Sequence, residues 1–147
     1  MDLVYRYDPY RAIQARQLTS SDEAVRELEA GHERFVRMVE QIQAELLGVA
    51  PTGQIVIPSD PLSLAFTHAT GAEPIQAPFA LVLGCSDARV PVEQIFDLSP
   101  NDMFVVRVAG NVLGIECLGS IAYAVNNFGK SLKLVVVLGH SSCGAVG

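Results

Sequence analysis

Three apolar runs organise the second half of the chain: Phe79 to Leu83, Met103 to Val106, and Leu132 to Leu138 with Lys133 near its start. Runs of this kind, without polar alternation, predict parallel strands covered on both faces. Between the second and third, Leu118, Ile121, Ala122, Val125 and Phe128 recur at helical spacing from Glu116 to Phe128, and Gly129 follows as a stop. Pro91 to Phe96 predicts a shorter helix with proline at its first turn. Strand, helix, strand, helix, strand is the order of an α/β fold, a parallel sheet with right-handed crossovers and flanking helices.

The first half reads differently. Ser20-Ser21-Asp22-Glu23 carries the residues of a capping box, Ser20 with Glu23. Val25, Leu28, Phe35, Val36 and Val39 then mark one face of a helix running to about Leu47, where Gly48 and Pro51 end it. Gly31 and His32 interrupt the pattern, so a break or kink is expected there. Residues 48–78 read as a connector punctuated by Gly53, Pro58, Pro61, Gly71, Pro74 and Pro78. Within it Ile55 to Ile57 predicts a short strand, and Leu62 to His68 a helical turn or two. The expected organisation is an N-terminal helical arm and connector over 1–75 and an α/β core over 76–147, a single domain overall.

Composition narrows the function classes. The chain has 147 residues, half of them hydrophobic and 18% charged, and a mean hydropathy of +0.31. It is too apolar for disorder, and apolar enough to suggest buried subunit contacts. A net charge of −6 opposes a nucleic-acid partner, which needs a basic face. No apolar stretch reaches the ~18–20 residues of a membrane span. The three cysteines, Cys85, Cys117 and Cys143, form no even disulfide framework, which fits a reducing compartment and a cytoplasmic location. Met1 to Gln17 lacks the apolar core of a secretory signal. Arg6, Arg11 and Arg16 leave organellar targeting open, although Asp2 and Asp8 dilute that pattern.

The candidate chemistry sits where the strands end. Cys85 and Asp87 follow the first run, Arg107 ends the second, and His140 and Cys143 follow the third. In open parallel sheets, ligands bind beyond the carboxyl ends of the strands. Two thiolates and an imidazole are a donor set that zinc selects, and three protein ligands leave a fourth position for chemistry. Two other readings stand beside this one. A buried cysteine is often an apolar filler. Alternatively, a cysteine could act as nucleophile with His140 as base, which leaves Cys143 without a role. Cys117 reads as helix core, and His32 and His68 as surface or helix-end residues.

At this point a resemblance becomes specific. Cys85-Ser86-Asp87-Ala88-Arg89-Val90, followed by Gly139-His140-Ser141-Ser142-Cys143-Gly144, resembles the β-class carbonic anhydrases. The likeness extends through Gln76-Ala77-Pro78, Phe104 to Arg107, Ala109-Gly110-Asn111, and Gly119 to Val125. Glu27 to Phe35 is similar to the family's N-terminal helix. Val108, Ala88 and His32 depart from the family's frequent residues, and 41–75 matches nothing.

The resemblance implies zinc held by Cys85, His140 and Cys143, with Asp87 and Arg89 as a catalytic pair. Arg89 would keep Asp87 ionised and off the metal, where it orients zinc-bound hydroxide for attack on carbon dioxide to give bicarbonate. A freed Asp87 would become a fourth ligand and close the site. Gln76, Phe104, Ala109, Tyr123 and Gly144 are implied around the substrate. A homodimer or higher homo-oligomer is implied, with no nucleic-acid or membrane partner. Ala145 to Gly147 can only begin the family's next helix, so a C-terminal truncation is expected, with one face of the third strand uncovered. Two alternatives follow: a catalytically poor zinc-binding paralogue or fragment with an assembly or regulatory role, and a carbonyl sulfide or carbon disulfide hydrolase with the same metal set.

Overall fold

The computed structural model describes residues 2–7, 18–49, 53–59 and 76–146. In chain order its elements are β1 (Asp2–Tyr7), α1 (Ser21–Leu46), β2 (Gln54–Ser59), β3 (Ala80–Gly84), α2 (Val92–Ile95), β4 (Met103–Arg107), α3 (Ile115–Asn127) and β5 (Leu134–Leu138), with a 3-10 turn at Ala109–Asn111. The three apolar runs are β3, β4 and β5. They form one parallel sheet in the order β4-β3-β5, so the first strand in sequence is the central one. The expected parallel α/β core is therefore present.

Alternation along β3 divides its neighbours between two layers. Ala80 and Val82 pack with Ala24 and Leu28 of α1 and with Val92, while Leu81 packs with Ala124 and Phe128 on the opposite face. All five residues of β3 are buried, as the unbroken apolar run predicts. β5 corrects the same expectation. Leu134, Val136 and Leu138 pack against the α1 and α2 layer, but Val135 and Val137 are 55% and 67% exposed. α3 lies over β3 and β4, and its cover does not extend to that face of β5.

The helix start is close to the sequence reading. Ser20 is the N-cap of α1, and its Oγ accepts from the Glu23 N–H at 3.2 Å. The reciprocal half of the box falls one residue earlier, because Glu23 Oε2 accepts from the N–H and hydroxyl of Thr19 at 2.7 and 2.9 Å. Such caps contribute about 1 kcal/mol. At the other end Gly48 adopts φ +69, a left-handed conformation that terminates the helix readily.

The expected break at Gly31 and His32 is absent: α1 runs continuously through both. Gly31 serves packing instead. A Cβ there would lie 1.8 Å from the Phe96 carbonyl oxygen, so only glycine lets α1 approach the end of α2. His32 Nδ1 is 3.1 Å from the Ile95 carbonyl oxygen. Arg34 donates to Asp97 Oδ2 at 2.6 Å and to its carbonyl at 3.3 Å. Alanine would raise helix propensity by about 1 kcal/mol, but the collision with backbone outweighs that gain. Gly31→Ala is expected to lower stability by about 1–3 kcal/mol, read from the urea midpoint. A raised midpoint would show that α1 does not make this approach.

Three further expectations are refined. α2 is only four residues long, and Pro91 is its N-cap rather than its first helical residue. The short strand at Ile55 to Ile57 is part of β2, which pairs in parallel with β1, an element the sequence reading did not anticipate. The turns expected at Leu62 to His68 lie outside the described residues, as does His68.

Candidate metal centre

The carboxyl ends of β3 and β5 lie side by side, with Gly84 paired to Leu138. Each strand then releases a loop. The first carries Cys85, Asp87 and Arg89, and the second carries His140 and Cys143. The ligand atoms of Cys85, His140 and Cys143 all lie within 4.8 Å of one another. The structure thus brings together five of the residues singled out in the sequence.

The donor set fits zinc on three independent grounds. The Sγ atoms of Cys85 and Cys143 are 3.8 Å apart, which matches the ~3.8 Å edge of a tetrahedron built on Zn–S distances of about 2.3 Å. His140 lies with Nδ1 2.9 Å from the Ser141 carbonyl oxygen, so Nδ1 carries the proton and Nε2 presents its lone pair in the neutral ring. That Nε2 is buried and has no hydrogen-bond partner of good geometry among the described residues, the condition of a group awaiting a metal.

Electrostatics prepare the same set. The Cys85 thiol is lowered to about 6, first by the His140 ring beside it, then by the backbone N–H groups of Gly110 and Asp87. His140 is raised, chiefly by the Cys85 thiolate and then by the Ser141 carbonyl. Without metal the two therefore favour a thiolate–imidazolium pair. Metal binding must displace the imidazolium proton.

Asp87 is held in a two-pronged grip. Its Oδ1 accepts from the Arg89 N–H at 2.9 Å and from Nε at 3.0 Å, and its Oδ2 accepts from Nη2 at 2.7 Å. This pairing keeps the carboxyl well below its ordinary value, with the Arg89 side chain the largest cause. Asp87 Oδ2 is also 4.0 Å from His140 Nε2, so the carboxylate borders the ligand cluster.

The residues expected around the substrate are more scattered. Gln76 stands exposed in the extended stretch before β3, and Ala109 and Gly144 are exposed in turns. Phe104 and Tyr123 meet at 6.1 Å between ring centroids, and each lies 5.7 Å from Phe128, in one aromatic cluster. A shallow groove of about 300 Å³ runs along β4 and α3 past Phe104, Arg107, Glu116, Cys117 and Ser120. Cys117, read as helix core, is half-buried at its edge.

Sequence reasoning gave too little weight to the segment after β4. Arg107 donates through Nε to the Cys85 carbonyl at 2.9 Å and through Nη2 to the Asp87 carbonyl at 2.6 Å. The Gly110 N–H reaches Cys85 Sγ at 3.3 Å, and Asn111 Nδ2 donates to the Leu138 carbonyl at 3.0 Å. Gly110 has φ +63, a left-handed conformation that favours glycine. The available signal was positional: Arg107 ends an unbroken apolar run, as do the residues before both ligand loops.

The second half of the chain is similar in sequence to known proteins. A family model described as carbonic anhydrase matches residues 80–147. Carbonic anhydrase 2 of Mycobacterium tuberculosis is 50% identical over 84 residues, covering 57% of this chain and 40% of that protein. A carbonic anhydrase of Mycolicibacterium smegmatis is 55% identical over 71 residues, covering 48% of this chain and 34% of the relative. Among solved structures, one of two tetrameric β-carbonic anhydrases from Sordaria macrospora aligns at 40% identity with a TM-score of 0.45, covering 48% of this chain and 36% of that one. The chain thus spans about 40% of the length of the first of these relatives. The stretch matched by the family model contains Cys85, His140, Cys143, Asp87 and Arg89, and over it the chain is similar to carbonic anhydrases.

Proposed function

We propose that this chain carries the metal-binding and catalytic residues of a zinc-dependent enzyme that hydrates carbon dioxide reversibly to bicarbonate and a proton. The observation that supports this best is the convergence of Cys85, His140 and Cys143 within 4.8 Å, bordered by an Asp87 that Arg89 keeps ionised. Zinc, when bound, supplies the Lewis acidity that makes water a nucleophile near neutral pH. Every other requirement falls to protein groups. Cys85 and Cys143 donate charge, and the Ser141 carbonyl fixes the ring of His140 in its ligating tautomer. Asp87 accepts a hydrogen bond from the attacking water and aims its lone pair at the carbon. Arg89 holds Asp87 away from the ligand cluster. Gln76, Phe104, Ala109, Tyr123 and Gly144 are proposed to contact substrate.

Assembly as a homodimer or larger homo-oligomer belongs to the same reading. It is supported by the exposed apolar residues Val135 and Val137 on β5 and Ile115 and Leu118 on α3. Among the described residues no helix is long and apolar enough to cross a membrane. A cytoplasmic location is proposed from three cysteines that are all free.

The test is zinc content together with carbon dioxide hydration, followed by stopped flow with a pH indicator. One zinc per chain and a rate that rises above neutral pH are expected, because two thiolates weaken the Lewis acidity. A folded, zinc-loaded chain with only the uncatalysed rate would overturn the reading. Metal affinity carries its own pH signature. The raised imidazole of His140 must lose its proton to bind metal, so affinity falls as the solution is acidified. It falls more steeply below about 6, where the Cys85 thiol also takes up a proton. Chelator competition between about pH 5 and 8 measures this.

A further inference from the structure

We infer that Arg107 and Asn111, neither of them a ligand, are positioning residues that set the distance between the two ligand-bearing loops. The inference rests on the zinc reading above and deepens it. β4 is an edge strand and contributes no ligand, yet its continuation crosses the carboxyl end of the whole sheet. Val108 N–H bonds the Gly84 carbonyl at 3.0 Å, at the last residue of β3. Asn111 then reaches the last residue of β5 through its bond to the Leu138 carbonyl.

Such a clamp is needed because the loops leave the sheet before the ligands begin. The β3–β5 pairing ends at Gly84 and Leu138. Past that point the loops meet through the Cys85, His140 and Cys143 cluster, the 4.0 Å approach of Asp87 to His140 and a long 3.4 Å bond from Arg89 Nη2 to the Ser142 carbonyl. All of these run through side chains of the ligand cluster and its neighbours rather than between the loop backbones. Arg107 supplies what they lack. Its planar fork spans the Cys85 and Asp87 carbonyls, two residues apart, and fixes the first loop. A lysine ammonium cannot match that rigid fork. Asn111 fixes the start of the second loop, two residues before His140. Its φ of +57 is a conformation asparagine tolerates better than most residues.

Cobalt(II) binding to the full 147-residue chain tests this without reference to catalysis. Cobalt visible bands and thiolate charge-transfer bands report coordination geometry, which a purely stabilising residue would not alter. Arg107→Met is expected to weaken cobalt binding ~10–100-fold and to shift the visible bands, with partial recovery in Arg107→Lys. Asn111→Gly keeps the positive φ while removing the amide, and is expected to act in the same direction. If Arg107→Met does not fold, Arg107→Lys and Asn111→Gly decide on the same readouts. Variants with wild-type affinity and spectrum would overturn the inference. So would a lower melting temperature of the metal-free chain accompanied by an unchanged spectrum. A wild-type chain that binds no cobalt would overturn both this inference and the zinc reading, whereas unaltered variants would overturn only this one.

Discussion

Replacing Cys143 by alanine is expected to abolish metal retention while leaving the fold intact. The residue sits half-buried in a turn after β5 and belongs to neither apolar cluster. Little packing is lost with its sulfur. What is lost is one of two soft donors, and with it the sulfur–sulfur edge that matches a zinc tetrahedron. Loss of a hydrogen-bond partner to a ligand costs about 10–100-fold in metal affinity, and loss of the ligand itself costs more. Dialysed variant protein should therefore contain almost no zinc, with the helical circular dichroism of the parent. A variant that retains one zinc per chain would remove Cys143 from the ligand set and restore the reading in which Cys85 and His140 act without it.

Asp87→Asn should show the complementary result: zinc retained, turnover nearly lost. The amide can still accept the Arg89 N–H, but its NH₂ would then face Arg89 Nη2, which now lies 2.7 Å from a carboxylate oxygen. Two donors repel, so the guanidinium must turn away and the two-pronged grip is lost. Under the proposed mechanism the attacking water also loses its charged acceptor. Removing a positioned proton acceptor lowers turnover about 10²–10⁴-fold. Zinc analysis and stopped-flow hydration on the same sample measure both halves. More than half the parent rate, with zinc bound, would show that Asp87 does not act on the water.

The two substitutions separate parts of the site that the sequence revealed to different degrees. The ligand residues were legible because each clue is local. An unbroken apolar run ends, a short polar segment follows, and the side chains in it are metal donors. The Asp87–Arg89 pair was legible from the family phrase, and its bonds span only two positions in sequence. The clamp formed by Arg107 and Asn111 was not legible, because its bonds join residues 20 to 27 positions apart. No spacing rule relates a strand-end arginine to the carbonyls of a neighbouring loop. The aromatic residues show the same limit. Phe104 and Tyr123 were implied around the substrate, and the structure packs both against Phe128.

By itself, then, the sequence determined the three core strands, the capped start of α1 and the identity of the ligands. Hydrophobic period, capping chemistry and donor softness act within a few residues and need no partner. Only the tertiary structure decided the rest. Gly31 does not break α1, because a close approach to the Phe96 carbonyl favours glycine in an unbroken helix. β1 pairs with β2 across the whole length of α1. β3 becomes the centre of the sheet because α3 carries the chain from one edge to the other, past a strand already in place. That crossing lays the two ligand loops side by side, and it depends on which surfaces pack together, a property that no short stretch of sequence contains.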